Sequence, residues 1–183
     1  CSSRSRSTRG WPGPAAPAPP CPVCDEPMAA DLCYRGTRYL RCRHCRTGAM
    51  AGAVLRGARR ATETETVMKR AGEATLEDLL GCHGLVIGTP ENFGTMAGMV
   101  KDFFDRTYYP AEGKTVGLPY ALFVSAGNDG TGAVMQVDRI ATGYGWKRVA
   151  EPLIARKEVT DADLAACEEL GEAMASGVAL GIF

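Results

Sequence analysis

The stretch GLVIGTPENFGTMAGMVKDFFDRTYYP, residues 84–110, decides the fold class. Its first residues, 84–90, form a short run between glycine and proline that is apolar on both faces, which is typical of a central parallel strand. A small, polar, glycine-rich loop follows and opens a helix over residues 96–109. One apolar stripe of that helix contains Met96, Met99, Val100, Phe103 and Phe104. A strand, a glycine-rich loop and a helix in this order indicate one unit of a parallel α/β sheet.

The chain from residue 46 onward repeats this alternation of strands and helices. Thr75 precedes Asp78 by three residues, a capping-box spacing that predicts a helix start, and Gly81 is expected to stop that helix in a left-handed conformation. We also predict a helix over residues 49–60, a weak strand over 64–70, a strand over 120–127, a helix around Val134, Val137 and Ile140, a strand over 148–155 and a helix over 160–180. Pro152 indicates that the last strand is an edge strand or carries a bulge. The pattern predicts an α/β fold with a parallel sheet between two layers of helices.

Three glycine-rich loops are expected at one edge of this sheet, over residues 45–50, 88–95 and 125–132. Ligands of parallel α/β sheets bind outside the carboxyl ends of the strands. Backbone N–H groups at the start of a helix can bind an anion, and glycine allows the backbone to approach a ligand closely. Together the three loops predict a pocket for a phosphate and a flat heterocycle.

Residues 84–110, with LPYALFVSAGNDGTGAV (118–134) and the C-terminal ALGIF, resemble flavodoxin-like proteins. Within that family the resemblance is to the FMN-dependent NAD(P)H:quinone oxidoreductases and related small flavodoxin family proteins. It covers about residues 46–183. The resemblance implies a flavodoxin-like three-layer sandwich that binds FMN as its cofactor.

The resemblance also implies which residues hold FMN. The family's phosphate loop has the pattern hydroxyl–x–Thr–Gly–x–Thr, to which Cys45, Arg46, Thr47, Gly48, Ala49 and Met50 correspond here. Thr47 and Gly48 keep the pattern, whereas Cys45 and Met50 replace hydroxyl groups, which predicts weaker binding of the phosphate. The isoalloxazine ring would be bordered on one side by Pro90, Glu91, Asn92, Phe93 and Gly94, and on the other by Ala126, Gly127, Asn128 and Asp129.

The segment that would form the first strand of such a fold is unusual. Residues 38–44, RYLRCRH, contain Arg38, Arg41 and Arg43. Burying unpaired guanidinium groups would be very unfavourable. We therefore expect an altered first strand: either this segment is not the central strand, or its arginine-bearing face is covered only by solvent.

The cysteines before residue 46 suggest a separate site. Cys21 and Cys24 form one CxxC pair, and Cys42 and Cys45 form another, with 17 residues between the pairs. This spacing matches a four-thiolate zinc ribbon whose two halves are joined by a hairpin over residues 32–42. The alternative is ordinary reduced thiols. Cys45 belongs to both the zinc interpretation and the phosphate-loop interpretation.

Charge and composition complete the predicted domain organisation. Residues 1–60 contain eleven arginines and three acidic residues, a net charge of +8, and the neutral total leaves −8 for the remainder. We predict a disordered tail over 1–20, a Cys-rich segment over 21–45 and a flavodoxin-like domain over 46–183. The acidic remainder argues against nucleic acid as the main partner. No apolar run reaches the roughly 18–20 residues that cross a bilayer, so we expect a soluble, cytoplasmic protein.

The leading functional hypothesis is an FMN-binding oxidoreductase that passes reducing equivalents from NAD(P)H to a quinone-like acceptor. A second hypothesis is a flavodoxin-type electron carrier, or a flavin-less domain with an N-terminal zinc-ribbon interaction module. A third is a zinc ribbon whose basic tail binds nucleic acid. The sequence contains no HExxH motif and no Walker loop, so hydrolytic and nucleoside-triphosphate chemistry lack support. Residues acting as acid or base are not identified, and homo-oligomers are an implication of the family.

Overall fold

The computed structural model describes residues 29–34, 37–41 and 43–183, with side chains from Arg46 onward. The chain divides into two units, Cys1–Cys42 and Arg43–Phe183. In the first unit, strands β1 (Ala29–Tyr34) and β2 (Thr37–Arg41) form an antiparallel hairpin with an irregularity between Ala30 and Leu32. A hairpin is therefore present where the sequence predicted one. The disordered tail predicted over 1–20 lies outside the described residues.

The second unit alternates helices and strands as the sequence pattern predicted. Its elements are α1 (Arg43–Ala58), α2 (Leu76–Gly81), β3 (Leu85–Asn92), β4 (Thr95–Met96), α3 (Gly98–Ala111), β5 (Pro119–Ala126), α4 (Thr131–Tyr144), β6 (Lys147–Arg148), β7 (Leu153–Arg156) and α5 (Asp161–Ala179). Strands β3, β6 and β7 each pair with β5 in parallel, and β4 returns antiparallel along the end of β3. The sheet is thus mostly parallel.

Strand β5 lies at the centre of the sheet, because all eight of its residues are buried. Strand β3, which the sequence analysis took for a central strand, is mostly half-buried, and among the described residues its only other strand partner is the two-residue β4. A short apolar run between turn residues does not reveal how many neighbours a strand has. Within the described part of the chain, β3 thus lies between β5 and the short β4, and it is less buried than β5.

Helices cover both faces of the sheet, which confirms the three-layer sandwich. Alternate residues of β5 point to opposite faces: Leu122 and Val124 pack with α3 and α4, whereas Ala121 and Phe123 pack with residues of α1 and α5. The sequence predicts this layering, because a helix with one apolar stripe packs that stripe against the sheet. None of the helices in the described part of the chain is long and apolar enough to cross a membrane.

Helices α1 and α5 pack against each other through glycine. A Cβ atom on Gly57 would lie 1.8 Å from the backbone oxygen of Glu168, and one on Gly171 would lie 2.0 Å from that of Val54. Salt bridges from Arg56 and Arg60 to the Glu168 carboxylate, 2.9 Å and 2.5 Å long, border this contact. The close approach anchors α1 firmly along its second half.

Several predicted boundaries were wrong for identifiable reasons. Residues 64–70 form no strand, since Val67 and Met68 are exposed and have no sheet to pack on. The strand predicted over 148–155 is split into β6 and β7, with Pro152, which lacks an N–H group, in the gap.

Helix α2 has the predicted Thr75–Asp78 capping box, in which each side chain accepts a hydrogen bond from the other residue's N–H group. Its end differs from the prediction. Gly81 is not left-handed, because the chain leaves the helix through Cys82 in an extended conformation.

Candidate functional site

The carboxyl ends of three parallel strands meet at one edge of the sheet. Pro90 near the end of β3 is in register with Ser125 of β5, and Ser125 is in register with Ala155 of β7. The chain segments that follow these strands therefore start side by side. Residues 88–95 and 125–132 are brought together at this edge, as the sequence analysis expected.

The first predicted loop is not a loop. Arg46, Thr47, Gly48, Ala49 and Met50 lie in the first turns of α1, which begins at Arg43, six residues before the predicted start. Met50 is only 1% exposed and packs in the core between α1, β5 and α5, so its side chain is not available to a ligand. Gly48 and Ala49 are exposed. The loop-like composition of this segment misled the prediction, because glycine and threonine are also tolerated in a helix that tertiary packing holds.

Thr47 and Arg46 nevertheless reach the carboxyl edge of the sheet. The Thr47 hydroxyl lies 2.6 Å from the Ser125 hydroxyl at the end of β5. Arg46, whose side chain is 18% exposed, forms a 2.5 Å salt bridge with Glu158, two residues after β7. The start of α1 therefore faces the same edge as the other two loops.

Ser125 lies in the third predicted loop, residues 125–132, but it was not among the predicted cofactor contacts, which began at Ala126. Ser125 follows the apolar run YALFV and is 5% exposed. It lies on the same face of β5 as Ala121 and Phe123, the face that α1 covers. A lone hydroxyl at the carboxyl end of an otherwise apolar strand is the signal that could have identified it.

The second loop is a tight turn between β3 and β4. Phe93 and Gly94 are its two central residues, and both have positive φ, 53° and 74°. Glycine adopts this conformation freely, whereas for phenylalanine it costs about 1–3 kcal/mol. The Phe93 ring is fully exposed. A two-residue hairpin turn requires positive φ at both positions, and this turn places the Phe93 ring in solvent at the carboxyl edge of β3.

Asn92, directly before this turn, carries an unsatisfied polar atom. Its Oδ1 is buried and has no hydrogen-bond partner among the described residues. Leaving such an acceptor unpaired costs about 1–3 kcal/mol. The backbone around it is well fixed, because the Ala97 N–H donates a 2.9 Å hydrogen bond to the buried hydroxyl of Thr89. Asn92 is thus held at the carboxyl edge of the sheet with a buried Oδ1 atom that accepts no hydrogen bond from the described residues.

The third loop presents a mostly free surface. Ala126 is buried, whereas Gly127, Asn128 and Asp129 are exposed, and a Cβ atom on Gly127 would meet nothing within 4 Å. The Asp129 carboxylate accepts hydrogen bonds from the backbone N–H and the hydroxyl of Thr131. The loop therefore has a stable conformation with open space above its glycine.

Glu91 joins the second and third loops. Its Oε2 atom accepts a hydrogen bond of 2.9 Å from the Gly130 N–H, and its Oε1 atom accepts bonds of 3.1 Å and 3.4 Å from the N–H groups of Gly132 and Ala133. The carboxylate is thus committed to the N-terminus of α4, where N–H groups and the helix dipole favour an anion. The family resemblance implies instead that Glu91 borders the flavin ring.

Metal binding has no support in the described residues, since no group of three or more His, Cys, Asp or Glu there could hold a metal. The proposed zinc ligands Cys21, Cys24 and Cys42 lie outside these residues. Cys45 falls in the first turn of α1, but its side chain is not described.

Two cysteines of the second unit, Cys82 and Cys167, are poor candidates for a reactive thiol. Burial raises the pKa of Cys82, and raises the pKa of Cys167 to about 11, so both remain protonated thiols with little nucleophilic character.

Comparison with known proteins gives the site its context. Residues 50–160 match the family described as NADPH-dependent FMN reductase. The chain belongs to this family. The match begins at Met50, the last residue of the altered phosphate-loop pattern, and it includes the second and third loops. A flavodoxin-like FMN-binding fold is thus the architecture of the second unit.

Individual relatives agree with the family assignment. The chain is 30% identical over 150 residues to a flavodoxin of Aquifex aeolicus, an alignment that covers 73% of this chain and 81% of the relative. It is 43% identical over 56 residues to an NAD(P)H dehydrogenase (quinone) of Acidithiobacillus ferrooxidans, which covers 30% of this chain and 28% of the relative. Among solved structures, an archaeal flavodoxin superposes with a TM-score of 0.65 at 22% identity, covering 73% of this chain and 90% of the flavodoxin.

The residues at the carboxyl edge fit the cofactor of this FMN reductase family. The unpaired Asn92 Oδ1 suits an N–H group of the flavin pyrimidine ring, and Gly127 leaves space for a flat ring. The hydroxyls of Thr47 and Ser125 are suited to phosphate oxygens. The N-terminus of α4 is not available for the phosphate, because the Glu91 carboxylate fills it.

Proposed function

We propose that the protein is an FMN-dependent oxidoreductase that transfers reducing equivalents from NAD(P)H to a quinone-like acceptor. The observation that carries this proposal is the unpaired, buried Oδ1 atom of Asn92 beside the exposed Phe93 ring. Family membership and the similarity to an enzyme named NAD(P)H dehydrogenase (quinone) support the choice of substrates.

On the ring side, this chain's residues would bind and orient the flavin. Asn92 accepts a hydrogen bond from the pyrimidine edge, which satisfies its Oδ1 atom. Phe93 offers an aromatic face, and the backbone of Gly127 and Asn128 borders the opposite edge. When bound, FMN supplies the redox chemistry, and the protein supplies its position and electrostatic surroundings.

On the phosphate side, Thr47 and Ser125 donate hydroxyl hydrogen bonds, and Arg46 contributes positive charge near them. The hydrogen bonds between hydroxyl groups and a charged phosphate are each worth about 1.5–3 kcal/mol. Because Arg46 is also paired with Glu158, its charge is partly compensated. This arrangement replaces the hydroxyl-rich loop that the family pattern would have supplied.

No side chain is proposed as an acid or base. His83 precedes β3 and therefore lies towards the amino end of that strand, opposite to the candidate site. The space beside Gly127 is open, since a Cβ atom there would meet nothing within 4 Å, and we expect both substrates to approach the ring from this side. Full reduction of a quinone takes two electrons and two protons: NAD(P)H supplies a hydride, and the second proton comes from solvent. The protein must therefore position the flavin and leave access for NAD(P)H and the acceptor, and it needs no protonating side chain.

The primary test is to add FMN to the purified full chain. We expect a perturbed visible band and quenched flavin fluorescence, followed by NADPH or NADH oxidation that depends on an added quinone. Absence of any spectral response at tens of micromolar FMN would contradict the proposal. Comparing NADPH with NADH, and several quinones, would then define the substrates.

Replacing Asn92 by alanine sharpens this test. N92A should bind FMN about five- to tenfold more weakly, since one neutral hydrogen bond is worth about 1 kcal/mol. The same change removes a buried unsatisfied acceptor, so the apo protein should not lose stability. Fluorescence titration and thermal unfolding of the apo protein measure the two effects, and lower apo stability with unchanged FMN affinity would contradict the assigned role.

A flavodoxin-type electron carrier is the second candidate, favoured by the 30% identity to a protein named flavodoxin. A carrier would bind FMN and exchange electrons with a protein partner without oxidising NAD(P)H itself. Bound FMN combined with no oxidation of either dinucleotide would favour this function. The cytoplasmic location and a homo-oligomeric state stay predictions.

The zinc ribbon also stays a prediction. We propose that Cys21, Cys24, Cys42 and Cys45 bind one zinc ion in a Cys-rich segment over residues 21–45, ahead of a flavodoxin-like domain over 46–183. The regular CxxC spacing supports this site. Metal analysis of the purified chain should find about one equivalent of zinc. Only traces of zinc would leave ordinary thiols as the explanation.

A further inference from the structure

The bonds of Glu91 are unusual in their range along the chain. Helix α4 begins after Gly130, which is left-handed and has no side chain with which to cap the helix. The Thr131 N–H donates to the nearby Asp129 carboxylate. The N–H groups of Gly130, Gly132 and Ala133 are instead satisfied by the Glu91 carboxylate, 39–42 residues earlier in the sequence. Helices α2 and α5 show the ordinary solution, a capping box between residues three apart.

The packing around this contact leaves no space for adjustment. A Cβ atom on Gly132 would lie 2.2 Å from the backbone oxygen of Gly94 and 3.2 Å from Glu91 Oε1. The second loop and the start of α4 therefore touch through backbone atoms, and the Glu91 carboxylate holds them in that position. A local cap would stabilise α4 equally well, but it would not connect the two loops.

We propose that Glu91 is a positioning residue of the flavin site, an inference that rests on the proposed function. Its carboxylate fixes the loop that carries Asn92 and Phe93 against the loop that contains Gly127. By filling the N-terminus of α4, it also prevents the FMN phosphate from binding there, so the phosphate is directed to Thr47 and Ser125. Glu91 thus determines both the distance between the two loops and the orientation of the cofactor.

The test compares E91Q with a matched control. Asp78→Asn is suitable, because Asp78 also caps a helix with its carboxylate but belongs to α2, which precedes β3. Glutamine keeps the size of glutamate, yet its amide group cannot accept N–H bonds with both terminal atoms. FMN affinity, flavin fluorescence quenching and thermal stability would be measured for both variants and for the wild type, at a temperature where all are folded.

We expect E91Q to bind FMN at least about tenfold more weakly, equivalent to about 1.4 kcal/mol, with an altered visible spectrum of the bound flavin. Asp78→Asn should lose stability but bind FMN within about twofold of the wild type, since a ratio of two is worth only a few tenths of a kcal/mol. Equal FMN affinity and an unchanged spectrum in E91Q would overturn the inference. If the wild type itself does not bind FMN, the proposed function fails.

A second measurement needs no variant and remains informative if E91Q does not fold. Hydrogen exchange of the wild-type apo protein should show protected amides at Gly130 and Gly132, because Glu91 accepts their N–H groups. Added FMN should increase this protection if Glu91 positions the flavin loops. Rapid exchange at both glycines in the apo protein would contradict the contact. Unchanged protection on saturation with FMN would contradict the positioning role.

Discussion

Two segments of similar composition adopt different structures in this protein. Residues 45–50 and residues 88–95 are both small, polar and rich in glycine, and both precede or open a helix. The second segment forms a tight turn at the carboxyl end of β3, whereas the described part of the first lies inside α1. The candidate site is therefore assembled from two true loops and the side chains of one helix.

The difference depends on what precedes each segment. Residues 85–90 form an apolar strand that pairs with β5, so the chain must turn where the sheet ends. The segment before residue 45 contains Arg38 and Arg41, and its strand β2 pairs with β1 in a hairpin of the first unit. Glycine and threonine alone do not make a loop: residues 46–50 are held in α1 because Met50, Ala53 and Val54 of this helix pack in the core.

The largest expected effect on stability is at the contact between the second loop and the start of α4. G132A places a Cβ atom 2.2 Å from the backbone oxygen of Gly94 and should lower the free energy of unfolding by about 3 kcal/mol, the upper range for overpacking. G127A is the matched control, since its Cβ atom would meet nothing within 4 Å. Chemical denaturation measures both. Equal stabilities would show that the two loops are not in contact.

A smaller effect is expected where α1 meets the sheet. T47V keeps the shape of the side chain but removes the hydroxyl that lies 2.6 Å from Ser125. It should weaken FMN binding about tenfold through the lost phosphate hydrogen bond. T142V is the control, because the Thr142 hydroxyl bonds to the Asp138 backbone within α4. If titration shows the same affinity for both variants, the phosphate binds elsewhere.

The smallest effect distinguishes a helix from a loop at residues 45–50. G48A should raise the free energy of unfolding by about 0.5–1 kcal/mol, because alanine favours a helix interior over glycine. G52A, one turn later in α1, should give a similar gain. If G48A loses stability and G52A does not, the result would support the predicted loop over residues 45–50. Thermal unfolding of the apo variants is sufficient for this comparison.

The sequence predicted the elements that carry strong local patterns. The apolar stripe of α3, the Thr75–Asp78 capping box and the buried run of β5 are each visible within a few residues. Contacts between distant residues could not be predicted in this way. The bond between Thr47 and Ser125 joins residues 78 positions apart, and Glu91 caps a helix about 40 positions later. Nothing in either local pattern indicates the partner.

By itself, the sequence determined the alternation of strands and helices and the two glycine-rich loops at the carboxyl edge, because hydrophobic periodicity and turn residues act locally. Only the tertiary structure decided that β5 is the central strand, that residues 46–50 belong to a helix, and that Glu91 rather than a ligand fills the start of α4. Each of these depends on which elements pack together. Packing of distant segments is a property of the whole folded chain, and no short window of sequence contains it.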